Sequence, residues 1–172
     1  MVVEFRFAEK KFSWYWSGLQ GPVLVLILWS VAALVLALTS FETYQSIFTG
    51  LNGIIIQIAV FGYVGYYFVE THKATPGQAA WGGALTGIIA GFVGAIASIL
   101  LIQLVPQFLD AAVSQAVAQG ASAELVRNMS RVMSWVGLVT GPLFTGLVGG
   151  LIAWIAGLIT RAITAAPREE ET

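Results

Sequence analysis

"GGALTGIIAGFVGAIAS", residues 82–98, is apolar almost throughout, yet every fourth position along it carries almost no side chain. Those positions are Gly83, Gly87, Gly91 and Ala95. Lipid tails are as apolar as leucine, so helices in a bilayer gain little from apolar contact with one another. They associate by close packing, which small residues permit. The stretch therefore reads as a membrane helix that lies against another backbone.

A second stripe supplies the neighbour. Gly137, Gly141, Thr145, Gly149, Ala153 and Gly157 also fall at steps of four, and both stripes contain G-x-x-T-G, at 83–87 and 137–141. A step of four turns about 400°, so each stripe drifts about 40° per step. That drift suits right-handed crossings of about −40°. The longer stripe wraps halfway round its helix and can face two neighbours, one in each half, with Pro142 near the changeover. The second neighbour is either the second span, through Gly62 and Gly65, or a different chain. Packing within the chain is the first expectation; contact with a partner or a second copy comes next, and a pore last.

The rest of the sequence agrees with a membrane setting. The chain has 172 residues, is 58% hydrophobic and 10% charged, and has a mean hydropathy of +0.83. Soluble domains run near 25% charged. Four stretches are long and apolar enough to span a bilayer: about 22–40, 51–69, 79–105 and 132–163. The expected fold is all-α: one polytopic membrane domain over residues 1–172, with four transmembrane helices. The first span is longer than a signal h-region and lacks a closing A-x-A, so it reads as retained. Pro22, Pro76, Pro106 and Pro167 mark span ends, and "TPGQ" at 75–78 reads as a capping box. Pro142 lies inside the fourth span and is expected to free the Leu138 carbonyl and kink the helix.

Two segments are expected outside the bilayer. Residues 1–21 form an interfacial segment, with Phe5, Ala8, Phe12, Tyr15, Trp16 and Leu19 on one helical face. Residues 106–131 form a helical hairpin, with Phe108, Leu109, Ala112, Val113, Ala116 and Val117 at helical period, a stop at Gly120 and a cap at Ser122. Residues 164–172 are a short tail. Arg6, Lys10, Lys11, Lys73, Arg161 and Arg168 fall on one side and only Arg127 and Arg131 on the other. By the positive-inside rule both termini are cytoplasmic and the hairpin is outside, in what reads as a bacterial inner membrane. Trp14, Tyr15, Trp16, Tyr66, Tyr67 and Trp81 would anchor the inner interface, and Phe41, Tyr44, Phe48 and Trp135 the outer one.

Little in the sequence suggests turnover. No ionisable residue lies in a span core, and such residues usually mark pumps and ion paths. The most polar groups there are Gln57 and the hydroxyls of Ser30, Thr86, Ser98, Thr140 and Thr145; Gln57 needs a partner, and a hydrogen bond to a neighbouring helix is expected ahead of a solute-binding role. His72, the single histidine, reads as a solvated interfacial residue. Cysteine is absent, and no G-x-S-x-G, H-E-x-x-H, Walker or Rossmann pattern occurs, so no catalytic residues, metal or cofactor are expected. A net charge of −1 without a basic patch gives no case for nucleic acid. The expected partners are the lipid bilayer and other membrane protein subunits or a second copy.

The short N-terminal segment, four spans, Gly-rich third span and Ala/Gln/Glu-rich insertion with "ASAELVRNM" resemble a family of small bacterial four-span proteins of unknown function. The resemblance implies a layout and brings no activity or site residues with it. Two functional classes follow: an accessory, assembly or scaffold subunit that binds through small-residue stripes, or a small-solute transporter or channel component acting as an oligomer.

Overall fold

The computed structural model describes residues 6–7, 10–48 and 51–165. A two-residue antiparallel ladder, β1 (Arg6–Phe7) and β2 (Lys10–Lys11), precedes six helices. These are α1 (Phe12–Thr39), α2 (Phe41–Phe48), α3 (Leu51–Glu70), α4 (Pro76–Leu104), α5 (Pro106–Ala118) and α6 (Ala123–Ala165). The chain is mostly helical, and α1, α3, α4 and α6 are long and apolar enough to cross a membrane. That composition is compatible with a membrane protein.

The start of the chain differs from the expected interfacial helix. Residues 10–11 are strand, helix begins only at Phe12, and it then runs unbroken through Pro22 to Thr39. The expected face residues Phe5 and Ala8 lie outside the described residues. The reason for the unbroken helix is packing. Tyr15, Gly18, Leu19, Pro22, Val23 and Leu26 make one buried stripe on a single helical face. That stripe faces α3 and α4, and its burial outweighs the hydrogen bond lost at the proline. Tyr15 is thus fully buried core, not an interface anchor.

The other boundaries follow local rules. Thr75 Oγ1 accepts from the Gln78 amide at 3.2 Å and the Gln78 side chain accepts from the Thr75 amide at 3.1 Å, with Pro76 in the first turn. Helix α5 ends at Ala118, and two residues on Gly120 has a φ of +90°, a conformation glycine adopts without a Cβ clash. Helix α6 absorbs both the second arm of the hairpin and the fourth apolar stretch, and its helical assignment is continuous past Pro142. The eight-residue α2, which the sequence reading lacked, caps the same end of the bundle as α5.

Two apolar clusters hold the bundle. At the end near His72, Tyr15, Leu19, Val64, Phe68, Ala79, Leu85 and Ala153 pack together. Phe68 threads between Gly18 and Gly82, at whose positions a Cβ would meet its ring at 2.9 and 2.8 Å. At the α5 end, Ala37, Tyr44, Leu101 and Val105 pack with Phe41, Phe48 and Phe108. Burial there raises the Tyr44 phenol above its ordinary range near 10.

Candidate functional site

Between the two clusters lies a laterally open groove, and the α4–α6 seam shows how it arises. The helices run antiparallel with the stripes in register. A Cβ at Gly83 would strike the backbone of Gly149 and the side chain of Ala153, and one at Gly87 would strike Thr145 and Gly146. At Gly91 it would meet the Cα of Pro142 at 2.5 Å. Over these three steps the backbones touch, and Pro142 is buried against α4.

One more step would oppose Ala95 to Gly137, and there the seam fails. Ala95 is buried and 3.9 Å from the Cβ position of Gly141, whereas a Cβ at Gly137 or at Gly94 would meet nothing within 4 Å. The small-residue rows also end there: continuing by four, α4 has Ile99, which borders a second cavity, and α6 has Met133, which borders the groove.

The inner half of the α6 stripe is also occupied, by α3. A Cβ at Gly65 would strike the backbone of Ala153, and one at Gly149 would meet the Phe61 ring at 2.8 Å. Gly157 faces Val69 at 3.2 Å and Ala79 at 3.4 Å. The second neighbour is therefore α3, through Gly65 with Phe61 and Val69; the Gly62 position meets nothing within 4 Å. Gly149, Ala153 and Gly157 are buried inside this chain and offer no surface to another. On the expected hairpin face Leu109 and Val113 are buried, Phe108 and Ala116 half-buried, and Val117 exposed.

The groove opened by the divergence has a volume of about 580 Å³. Leu26, Phe61, Gly91 and Thr145 lie at its floor, midway along the bundle, and Phe108, Leu109 and Ser130 at its α5 end. Gly94, Ala95, Gly137 and Gly141 line its walls. A second cavity of about 360 Å³ shares Ile102 and Ser134 with it and adds Ile99, Gln103, Arg131 and Trp135.

Its polar groups sort into spent and unspent. Ser30 donates to the Leu26 carbonyl at 2.9 Å, Thr145 to Gly141 at 2.8 Å and Ser134 to Arg131 at 2.7 Å. Thr86 and Thr140, elsewhere on the seam helices, likewise bond back into their own helices at 3.0 and 3.2 Å. Gln57, Ser98 and Ser130 line the groove without a hydrogen bond among the described residues. Gln57 thus bonds to no neighbouring helix, contrary to expectation; it is exposed along the groove. Outside the groove lining, Arg127 pairs with Asp110 at 3.1 Å, and Arg131, which lines the second cavity, makes no ion pair among the described residues.

No family model matches the chain, and no curated protein or solved structure matches it either. The site is read on its geometry alone.

His72 also departs from expectation. Its Nε2 is shut off from solvent without a hydrogen-bond partner, and its ring lies 5.3 Å from each of Trp14, Tyr67 and Phe68. The residue is half-buried, with Nε2 turned into an aromatic box. Among the described residues no three His, Asp or Glu side chains gather as a metal site would require.

Proposed function

We propose that this is a non-enzymatic integral membrane protein, an accessory or scaffold component that works by binding a hydrophobic ligand or partner from within the bilayer. The observation that carries this reading is the groove. It lies on the side of the bundle, is lined mainly by apolar and small residues, and falls within the roughly 300–1,000 Å³ of ordinary ligand sites. It reaches from the α5 end to the bundle's middle and stops at Leu26, Phe61 and Gly91. Beyond that floor Val64, Phe68 and Thr86 are fully buried. A blind groove favours holding a ligand over passing one through.

The charge distribution supports the orientation in which the α5 end faces outward and the His72 end faces the cytoplasm. The remaining faces of α6 are suited to lipid, with Leu143, Phe144 and Leu147 65–71% exposed. The inner half of the small-residue stripe, Gly149 to Gly157, packs against α4 and α3, whereas Gly137 is open to a neighbour.

The test uses the absence of cysteine. Single cysteines at Gly94 and Gly137, where the structure leaves room, and at Leu147 as a lipid-facing control would each carry a photoreactive label in native membranes. We expect the two groove positions to capture a discrete species that Leu147 does not. Indistinguishable capture patterns would remove the groove reading. The unpaired amide of Gln57 in the groove supports a second reading, a small-solute transporter. Solute flux in liposomes that disappears on Gln57→Leu would put it first.

A further inference from the structure

We infer that the second cavity, of about 360 Å³ and separate from the groove, is a site for the phosphate of an anionic membrane lipid. It does not depend on the groove being occupied. Three observations carry it. First, the cavity is built from unspent donors on two helices. Arg131 and Trp135 stand one turn apart on α6, and Gln103 comes from the last turn of α4. The register that sets Gly83 against Gly149 and Gly91 against Pro142 brings Gln103 level with Arg131 and Ile99 level with Trp135. The guanidinium, the side-chain amide and the indole all present N–H groups. None of the three has a hydrogen bond or ion pair among the described residues. The hydroxyl in the lining, that of Ser134, is already bonded to the Arg131 carbonyl at 2.7 Å.

Second, the charge is of one sign. Among the described residues no carboxylate lines the cavity. Asp110 is taken by Arg127 at 3.1 Å, and Glu124 lies seven residues before Arg131, about 10 Å along α6. A guanidinium binds phosphate by paired, charge-assisted hydrogen bonds. Without a carboxylate beside it, the site offers nothing to the ammonium of a zwitterionic headgroup.

Third, the cavity lies at headgroup depth. Arg131 and Arg161 enclose a stretch of α6 with no charged residue, and the 30 residues between them make about 45 Å of helix. A bilayer with its headgroup layers is about 40–45 Å thick. Arg131 therefore stands where lipid phosphates stand, with Trp135 at the usual depth of an interfacial indole. Towards the middle of the bundle the same flank turns apolar. Ile96 and Phe92 lie seven and eleven residues back from Gln103, on its face of α4, and Val139 lies one turn on from Trp135. All three are exposed, so an acyl chain has a track below the donors that a free phosphate would not use.

Native mass spectrometry of the full chain released from mild detergent tests this, with phosphatidylglycerol and phosphatidylcholine of identical chains added in equal amounts. The expected result is an adduct favouring phosphatidylglycerol by roughly fivefold, the effect of one basic residue on an anionic lipid. Arg131→Gln should equalise the two lipids, and Arg127→Gln should not. Gln103→Leu and Trp135→Leu should each lower the phosphatidylglycerol adduct by about twofold or more, as the loss of one hydrogen bond implies. Arg131, Gln103 and Trp135 are exposed, so these variants open no core and should melt like the parent. Gly137→Leu, which fills the groove, should leave the preference intact, and inorganic phosphate at the lipid's concentration should not displace the lipid. Equal binding of the two lipids, or a preference that survives Arg131→Gln, overturns the site. So does a preference indifferent to both Gln103→Leu and Trp135→Leu, which would be loose attraction to one arginine. Loss of the preference in Gly137→Leu would move the lipid into the groove, and displacement by inorganic phosphate would make the ligand a free anion; either result overturns the assignment.

Discussion

From Gly83 to Gly91, α4 lies so close to α6 that no side chain fits between the backbones, whereas from Gly94 onward the same two helices admit a cavity. Both regions use the same local motif: G-x-x-T-G occurs at 83–87 in the closed part and at 137–141 in the open part. A glycine motif therefore permits close approach without enforcing it. The two regions differ in what each row opposes to it and in how the row continues. The closed region opposes glycine to glycine, threonine or proline, and the open region runs on to Ile99 and Met133. The first arrangement makes a scaffold and the second a space.

The largest expected effect sharpens that contrast. Leucine at Gly65, Gly83, Gly87 or Gly149 must displace backbone, or at Gly149 the buried Phe61 ring as well. Overpacking by ordinary insertions costs about 1–3 kcal/mol, and backbone clashes should exceed that. Thermal melting in detergent should show these variants largely unfolded. Leucine at Gly94 or Gly137 should leave the melt unchanged, as should Leu147→Ala on the exposed face. Native melting of Gly87→Leu would mean that the closed seam is not steric. Gly149→Leu is the informative case: a residue free to bind a partner would tolerate it, and one filled by Gly83 and Phe61 will not.

A smaller effect is expected from moving the boundary between the two regions. Ile99→Ala with Met133→Ala extends both small-residue rows by one step, so the helices should close and the groove should shrink. Cysteines at Ala95 and Gly137 in that background should then form a disulfide that the parent chain does not. Sulfur bridges demand Cα atoms about 4.4–6.8 Å apart, which makes the reaction a ruler for the seam. Equal disulfide yield in both backgrounds would show that Ile99 and Met133 are not the wedge. The thermal stability of the double variant should change only modestly, because both side chains border space and not packed core.

The sequence carried the helices and the seam because both are periodic. Apolar runs, Pro76, the Thr75–Gln78 box and the four-residue rows are local signals, and the local structure obeys them. What was not legible depends on contacts between distant segments. Tyr15 and His72 each look interfacial from their neighbours in sequence, yet Phe68 and Trp14 enclose them because α1 and α3 meet there. Pro22 looks like a helix start until the buried stripe on either side of it is known. Gln57 was visible as a polar residue needing a partner. That it lines a groove instead of meeting a helix depends on how α1, α3, α4 and α6 pack together, which no rule of small-residue spacing includes.

The smallest expected effect concerns what fastens the hairpin over the open end. Asp110 and Arg127 bridge α5 and α6 at 3.1 Å, but their side chains are 58% and 54% exposed. Exposed pairs are worth about 0–1 kcal/mol, because water competes for both charges and two long side chains lose freedom. The apolar contacts beneath are better placed: Leu109 and Val113 are buried, and Val105 is 2% exposed. Arg127→Gln should thus shift the melting midpoint by no more than about 3 °C for a chain of this size. Raising the salt concentration should abolish even that small shift, as screening weakens surface pairs first. A larger, salt-resistant loss would mean that the ion pair, and not Leu109 and Val113, holds the hairpin across the mouth. The open half would then owe its shape to charge, in contrast to the backbone contact that fixes the closed half.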